Sequence, residues 1–304
     1  MEKKTLNFLN KYIDENFSNK TILITGGNSG IGFEATKICA FLKMKIFWGI
    51  RNLDKGKESE NQLRKEFPDV SLNIIQLDLA SLKSIKNFVN HLQETNLFFD
   101  YIYNNAGVYR MSKLYTKDGI DLTIGTNFIG TYYLTSLLTN IYEGKKVKFI
   151  FTSSVTAHLY NIDYSNFFME KNYKKFKAYC YSKRDIVHME KFFLEKFKNS
   201  NFSFNLIHPG STYTPLIDKG YKSKTIRKLG SGFMKIFFHS AENAALCAIF
   251  SLLEKNNNSY IGPKRFFGLT GNPKLKKLPK NLYKNYLKTI EVADKTIEDI
   301  LSSR

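Results

Sequence analysis

Short apolar runs alternate with longer stretches of helical period along this chain, and the alternation limits its fold more than any other feature. Short, continuous apolar runs are typical of strands buried on both faces, and each helical stretch is long enough to cross over to the next parallel strand. The pattern predicts an α/β fold, a single-domain Rossmann-type doubly wound parallel sheet with helices on both faces. The apolar runs are 21–25, 45–50, 72–78, 98–105, 147–154 and 202–208, and the helical stretches are 31–43, 54–67, 81–95, 118–140 and 176–199.

We expect one catalytic domain over residues 1–304, because no composition shift divides the chain. The N-terminal extension reads as an amphipathic helix with Leu6, Leu9 and Ile13 as its buried stripe. Three segments are expected to lie outside the sheet and its crossover helices. They are the N-terminal helix extension 1–18, a substrate lid 212–239 and a basic C-terminal tail 273–304 that ends in a helix.

The formal charge of +19 makes the chain strongly basic, with 46 basic against 27 acidic residues. Such a surface attracts nucleic acid, anionic lipid or phosphorylated ligands. Only 7 of the basic residues are arginine, whereas base recognition depends on the arginine fork. We therefore predict no specific nucleic-acid binding and favour a lysine-rich solvated surface.

The apolar runs are too short to span a bilayer, and the N-terminus lacks the apolar core of a signal peptide. The three cysteines, Cys39, Cys180 and Cys247, lie far apart without CxxC spacing. This usage favours reduced thiols over a disulfide framework or a metal site. We predict a cytoplasmic protein without a metal, for which membrane contact is at most peripheral.

A glycine-rich turn, TGGNSGIG at 25–32, follows the first predicted strand and opens a helix. Glycines permit a tight turn and let the backbone approach a pyrophosphate, whose charge is met by the N–H groups at the helix N-terminus. Taken alone, the turn is equally compatible with ordinary strand-to-helix geometry. The candidate cofactor residues here are Gly26, Asn28, Ser29, Gly30, Ile31 and Gly32.

The segment AYCYSK at 178–183 places Tyr179 four residues before Lys183 in a predicted helix. Residues at this spacing lie on one helix face, so both side chains can reach a common site. A nearby ammonium stabilises phenolate, and the spacing therefore predicts that Lys183 lowers the pKa of Tyr179. A tyrosine of this kind can act as a general acid or base.

Together these motifs resemble the short-chain dehydrogenase/reductase family, and most closely its retinol-dehydrogenase-like group. The motifs are TGGNSGIG, NNAG at 104–107, TSSVTAH at 152–158, AYCYSK, and HPGSTYT at 208–214, in that order. The resemblance covers most of the chain. It implies a catalytic set of Asn127, Ser154, Tyr179 and Lys183, in which Tyr179 exchanges a proton with the substrate oxygen that Ser154 orients. It also implies that Tyr179 and Lys183 contact a nicotinamide cofactor.

The resemblance places further cofactor contacts at the ends of other predicted strands. These residues are Asp78 and Leu79, Asn105, Ala106 and Gly107, and Pro209 and Thr212. The second strand ends at Ile50 and Arg51, where an enzyme that uses NAD presents an acid. Because an arginine can bind a 2′-phosphate through its fork, we predict that NADP(H) is preferred and that NAD(H) is possible.

The expected substrate is a carbonyl or alcohol on a lipophilic small molecule. The segment 160–176 should lie beside it, and its aromatic residues suit either an apolar wall or the core. The resemblance also permits a homodimer through helices 118–140 and 176–199. The alternatives are a dinucleotide-sensing protein without turnover and a basic, membrane-associated protein of the same fold.

Overall fold

A computed structural model describes residues 1–12, 17–109, 112–212, 240–255, 258–265 and 268–303. These residues form an eight-stranded sheet in the order β3-β2-β1-β4-β5-β6-β7-β8. The strands are β1 Thr21–Thr25, β2 Lys45–Ile50, β3 Leu72–Gln76, β4 Tyr101–Asn104, β5 Val147–Thr152, β6 Phe202–Ile207, β7 Tyr260–Arg265 and β8 Thr270–Lys276. β1 to β7 pair in parallel, which confirms the predicted doubly wound sheet.

Helices cover both faces of the sheet, and most of them connect successive strands. They are α1 Lys3–Tyr12, α2 Gly30–Phe41, α3 Leu53–Glu66, α4 Leu82–Glu94, α5 Leu122–Ile124, α6 Gly130–Ile141, α7 Lys175–Lys196, α8 Ala241–Leu253 and α9 Tyr286–Ser302. The predicted helix 118–140 is divided, because a π-helical turn, Gly125–Ile129, joins α5 to α6. No helix in the described part of the chain is both long and apolar enough to cross a membrane.

The sheet separates two hydrophobic clusters, as alternating side chains of a doubly covered sheet require. One cluster packs under α4, α6 and α7 and contains stacked rings of Phe149, Phe151 and Phe204. The other packs under α2 and α8 and includes the buried Trp48. All three cysteines, Cys39, Cys180 and Cys247, are buried and free.

The predicted C-terminal tail begins inside the sheet. Residues from 273 onward complete β8, which runs antiparallel to β7 and pairs Pro273 with Pro263. Pro273 is tolerated because β8 is the edge strand and leaves one side of its backbone unpaired. After β8 come a 3₁₀ turn, Lys280–Tyr283, and then α9.

In α1 the buried face differs slightly from the predicted stripe. Leu9 is fully buried as expected, but Phe8 is the second core residue and packs against Phe250 of α8. Leu6 is only partly buried, and Ile13 lies outside the described residues. The predicted lid, beyond Thr212, also lies outside them.

The C-terminal helix α9 packs along α7 and reaches α6. The hydroxyl of Tyr132 in α6 donates to Asp294 of α9 at 2.7 Å, and His188 of α7 bonds Thr289 of α9 at 2.7 Å. A homodimer through these two helices would need the surface that α9 covers. The homodimer that the resemblance permits is therefore disfavoured by this packing.

Candidate active site

The glycine-rich turn adopts backbone conformations that side chains resist. Gly26 has a φ of +65° and Gly30 a φ of +56°, in the left-handed region that glycine enters without strain. A methyl group added at Gly32 would lie 2.5 Å from both the side-chain nitrogen of Asn105 and the carbonyl oxygen of Gly26. The turn therefore requires glycine at 32 so that α2 can pack against the NNAG segment.

Thr25, the last residue of β1, fixes the segment that follows β4. Its hydroxyl accepts hydrogen bonds from the backbone N–H groups of Asn105 and Ala106, both at 3.0 Å. The Asn105 amide nitrogen in turn donates to the carbonyls of Thr25 and Gly26 at 3.0 and 3.3 Å. The two motifs thus form one unit at the carboxyl edge of the sheet.

The residues at this edge fit a dinucleotide. The N-cap residue of α2, Ser29, makes no side-chain capping bond, so the first N–H groups of the helix can meet a phosphate. Space is open beside Gly30, where an added methyl group would meet nothing within 4 Å. Further along the edge, the buried Thr212 hydroxyl has no hydrogen-bond partner among the described residues. Asn28 and Ile31 complete the turn.

Arg51 and Asp78 follow the ends of β2 and β3, where the resemblance implies contacts with the adenine side of the cofactor. Arg51 follows β2 directly, is exposed, and has no ion pair within the described residues. Asp78 is buried, accepts from the Ala80 N–H at 3.1 Å and lies 3.5 Å from the Lys117 ammonium. The geometry leaves Arg51 available to an anion and gives Asp78 a structural role as well.

Leu79 is buried beside the start of α6. A methyl group added at Gly130 would lie only 2.0 Å from the Leu79 carbonyl oxygen. The close approach of these two backbones fixes the end of β3 against the π-helical turn.

Asn127 lies fully buried in that turn. Its side-chain oxygen accepts from the Val108 N–H at 2.7 Å, and its nitrogen donates to the Val108 carbonyl at 3.0 Å and to the Ser182 hydroxyl at 3.0 Å. The Ser182 hydroxyl donates to the Tyr179 carbonyl at 2.8 Å. Asn127 therefore ties the segment after β4 to the helix that carries Tyr179.

Lys183 is buried one turn along from Tyr179, as the spacing predicts. Its ammonium donates to the Thr152 carbonyl at 2.9 Å and lies 5.7 Å from the centre of the Tyr179 ring. A methyl group added at Gly107 would lie 3.4 Å from the Asn127 side-chain oxygen and 3.5 Å from the Lys183 nitrogen. Asn127 and Lys183 thus meet beside Gly107.

Ser154 follows β5 and caps the 3₁₀ turn Val155–His158, where its hydroxyl accepts from the Thr156 N–H at 3.2 Å. The same hydroxyl bonds the Tyr179 phenol, and this bond lowers the phenol pKa. The structure therefore brings together all four residues that the resemblance implies for catalysis.

The pKa of Tyr179 differs from the value that its spacing predicts. Burial raises it to about 12 and outweighs the bond from Ser154. Burial also lowers the pKa of Lys183 to about 8, because desolvation disfavours charge on either group. The predicted net lowering of the Tyr179 pKa is wrong for this geometry, because burial outweighs every effect that lowers it and the Lys183 ammonium bonds the Thr152 carbonyl. At neutral pH Tyr179 is a phenol and Lys183 an ammonium.

Aromatic side chains surround Tyr179 and the segment after Ser154. The ring of Tyr109 packs edge-on against Tyr179, with 5.4 Å between centres. Tyr160 and Phe176 form a second edge-on pair at 6.4 Å and are about two-fifths exposed. Phe167, in contrast, is buried in the core. Segment 160–176 therefore contributes one ring to the core and leaves two exposed, and the apolar wall beside the substrate stays a prediction.

Three contacts of the site were not predicted from the sequence. They are the Thr25 hydroxyl that holds the NNAG segment, the Val108 backbone that pairs with Asn127, and the Thr152 carbonyl that bonds Lys183. Thr25 begins the glycine motif, so its position was the one available signal. Backbone contacts leave no trace in residue identity.

Comparisons with known proteins agree with this geometry. A family model described as short chain dehydrogenase matches residues 20–224. Retinol dehydrogenase 11 of Mus musculus is 28% identical over 243 residues, which cover 80% of this chain and 77% of that protein. Retinol dehydrogenase 13 of Homo sapiens is 33% identical over 199 residues, 65% of this chain and 60% of that protein.

Solved structures share the fold at low identity. A putative uncharacterized protein from Mycobacterium Paratuberculosis has a TM-score of 0.75 and 20% identity and aligns with 93% of this chain and 95% of its own. A short chain dehydrogenase/reductase from Burkholderia phymatum, solved in complex with NAD, has a TM-score of 0.62 and 16% identity, with 81% and 90% covered.

The parallel sheet, the glycine turn at its carboxyl edge and the clustered site residues define a dinucleotide-binding oxidoreductase of Rossmann type. Because the family model spans most of the chain, the protein belongs to the short-chain dehydrogenase family. It is an NAD(P)-dependent oxidoreductase of that family.

Proposed function

We propose that the protein transfers hydride between NADP(H) and a carbonyl or alcohol on a lipophilic small molecule, with Tyr179 as the general acid or base. The observation that carries the proposal is the convergence of Ser154, Tyr179 and Lys183 at the carboxyl edge of the sheet. The retinol dehydrogenases among the relatives support an apolar substrate. The half-exposed aromatic pair Tyr160 and Phe176 supports it further.

The protonation states favour carbonyl reduction at neutral pH. With its pKa raised to about 12, Tyr179 carries the proton that a developing alkoxide needs. In the substrate complex Ser154 would orient the substrate oxygen by donating its one hydroxyl hydrogen to that oxygen in place of the phenol. The Lys183 ammonium stabilises the phenolate left behind, because it lies 5.7 Å from the ring centre. Alcohol oxidation uses the same groups in reverse.

Nicotinamide, when bound, supplies or accepts the hydride. The glycine turn and the N-terminus of α2 would hold its pyrophosphate, and Asn105, Ala106 and Gly107 would line its path along the edge. Lys183 would bond the nicotinamide ribose, and Pro209 and Thr212 would lie near the amide. Arg51 would bind the 2′-phosphate of NADP(H), since it is exposed beside the end of β2.

The test pairs nucleotide binding with turnover. Purified protein is titrated with NADPH and with NADH by nicotinamide fluorescence, and straight-chain aldehydes from butanal to dodecanal are then assayed by NADPH consumption. We expect tighter binding of NADPH, and faster turnover as the aldehyde lengthens. Equal affinity for both nucleotides would contradict the proposed role of Arg51. A preference for short, polar carbonyls would contradict the proposed lipophilic substrate.

Two variants separate the parts of the proposal. Arg51→Ala should lose the preference for NADPH while binding NADH as the wild type does. Tyr179→Phe should bind NADPH normally and lose turnover by roughly a thousandfold. Normal NADPH binding by the wild type without turnover of any carbonyl would instead favour a dinucleotide-sensing protein.

Membrane contact and a cytoplasmic location are further proposals that rest on the basic composition and the cysteine usage. Sedimentation with vesicles of phosphatidylserine and phosphatidylcholine tests the first. Binding that falls with rising salt would support a peripheral electrostatic contact. The absence of sedimentation at low salt would remove it.

A further inference from the structure

We infer that Arg184 is a positioning residue for the substrate site, which it couples to the C-terminal segment. Arg184 follows Lys183 directly in α7 and is 5% exposed. Its guanidinium spans two other parts of the chain, each through a backbone carbonyl. One terminal nitrogen donates to the Tyr160 carbonyl at 3.1 Å, and the other donates to the Asn281 carbonyl at 3.0 Å.

The first of these carbonyls belongs to Tyr160. Tyr160 and Phe176 form the exposed aromatic pair that we propose borders the substrate, called the wall below. Tyr160 lies six residues after Ser154 and forms an edge-on pair with Phe176 at the start of α7. A second α7 side chain supports the same segment, because the Tyr181 hydroxyl accepts from the Asp163 N–H at 2.9 Å. Arg184 therefore helps to fix how far the wall stands from Tyr179.

The second carbonyl belongs to the 3₁₀ turn Lys280–Tyr283, which leads into α9. The turn is held to α7 at a second point, since His188 bonds the Leu282 carbonyl at 2.8 Å. The segment that follows Tyr160 also meets the C-terminal segment directly, because the Tyr164 hydroxyl donates to the Asn285 carbonyl at 3.0 Å. The three elements form one connected unit in which Arg184 is the charged bridge.

Energetics favour a positioning role over a merely stabilising one. No carboxylate within the described residues lies within ion-pair distance of Arg184. The adjacent Asp185 is fully buried, and neither of its oxygens has a hydrogen-bond partner among the described residues. Burying a guanidinium is costly unless its donors are satisfied. The planar fork can bond two carbonyls at fixed separation, whereas a lysine ammonium on a flexible stem can hold only one of them firmly.

The inference rests on the proposed function, because its main readout is carbonyl reduction. In Arg184→Lys we expect the KM for decanal to rise roughly tenfold while kcat changes much less. The affinity for NADPH should stay within about twofold of the wild type, since the bridge contacts the wall and not the nucleotide edge. Arg64→Lys is the matched control, because Arg64 also bonds two partners, Glu60 and the Val70 carbonyl, on the opposite part of the sheet.

Hydrogen exchange supplies a readout that does not need turnover. Backbone exchange should quicken together in segments 159–168 and 280–285 of Arg184→Lys, and in neither segment of Arg64→Lys. In the wild type, adding NADPH with 1-decanol, an unreactive pair, should slow exchange in both segments. If Arg184→Lys does not fold, as judged by circular dichroism, Arg184→Gln replaces it. The exchange of the wild type with and without NADPH and 1-decanol then still tests whether the two segments are coupled.

An unchanged KM for decanal in a folded Arg184 variant would overturn the inference. So would a loss of NADPH affinity equal to the rise in KM, which would indicate general loosening of α7. Slowed exchange in 159–168 without any change in 280–285 would also overturn it, because the two segments would then be uncoupled. A wild type that binds no nicotinamide nucleotide would count against the proposed function, while the exchange difference between the two variants would still report on the bridge.

Discussion

The Asn127 side-chain amide makes two hydrogen bonds with the Val108 backbone. Its oxygen accepts from the Val108 N–H at 2.7 Å, and its nitrogen donates to the Val108 carbonyl at 3.0 Å. Asparagine is suited to this pairing because its side chain both donates and accepts. Asn127 lies in the π-helical turn between α5 and α6. Such turns are often found at functional sites.

We predict that Asn127→Asp lowers both stability and turnover. The variant loses the donor to Val108 and Ser182 and places a carboxylate against the Val108 carbonyl. We expect the free energy of unfolding in urea to fall by about 2 kcal/mol and aldehyde reduction to fall at least roughly tenfold. The control is Asn201→Asp, because Asn201 is exposed and donates to the Gly144 carbonyl. Similar losses in both variants would contradict a special role for Asn127.

A second prediction concerns the pH dependence of carbonyl reduction. Because burial lowers the pKa of Lys183 to about 8, its charge is present below that pH and lost above it. Tyr179, with a pKa of about 12, remains protonated throughout. The kcat/KM for decanal should therefore be level below about pH 7 and fall as the pH rises through 8, as the phenolate loses its ammonium.

The measurement is a kcat/KM profile from pH 6 to 10 at saturating NADPH. Lys183→Met provides the comparison, and its residual activity should show no inflection near pH 8. A wild-type profile that is level up to pH 10 would mean that the Lys183 charge does not assist the proton transfer.

A third prediction uses two glycines that share a left-handed backbone and open surroundings. Gly30 has a φ of +56° and Gly144 a φ of +78°, and an added methyl group at either would meet nothing within 4 Å. Because alanine is strained in a left-handed backbone, each substitution should lower the free energy of thermal unfolding by a similar amount, about 1 kcal/mol. Only Gly30→Ala should weaken NADPH binding, by at least roughly tenfold, because only Gly30 begins the helix proposed to hold the pyrophosphate. Equal NADPH affinities in the two variants would place the phosphates elsewhere.

The sequence predicts those parts of the fold that depend on local pattern. The parallel strands follow from continuous apolar runs such as 147–154, and the chain brings Tyr179 and Lys183 together because a helix fixes their spacing. What it does not predict arises from contacts between distant segments. The π-helical turn at Asn127 depends on the Val108 backbone, and the pKa of Tyr179 depends on how many atoms bury the phenol.

The C-terminal segment is another example of such long-range dependence. Its amphipathic pattern indicates a helix with one apolar face, but the pattern cannot tell whether that face meets this chain or a second copy. In the structure α9 packs on its own chain, where it bonds Tyr132 and His188. These contacts join residues more than 100 positions apart, so a local pattern does not reveal them.

We predict that the protein is monomeric, because α9 covers the α6 and α7 surface through which the resemblance permits a homodimer. Light scattering after size-exclusion chromatography should give a mass near 35.2 kDa at all concentrations tested. Tyr132→Phe removes the bond to Asp294 and should quicken hydrogen exchange in α9 without changing that mass. Tyr142→Phe is the control, since its hydroxyl bonds the Leu97 carbonyl away from α9. A mass of twice the monomer, with α9 still protected, would mean that the chain associates through a different surface.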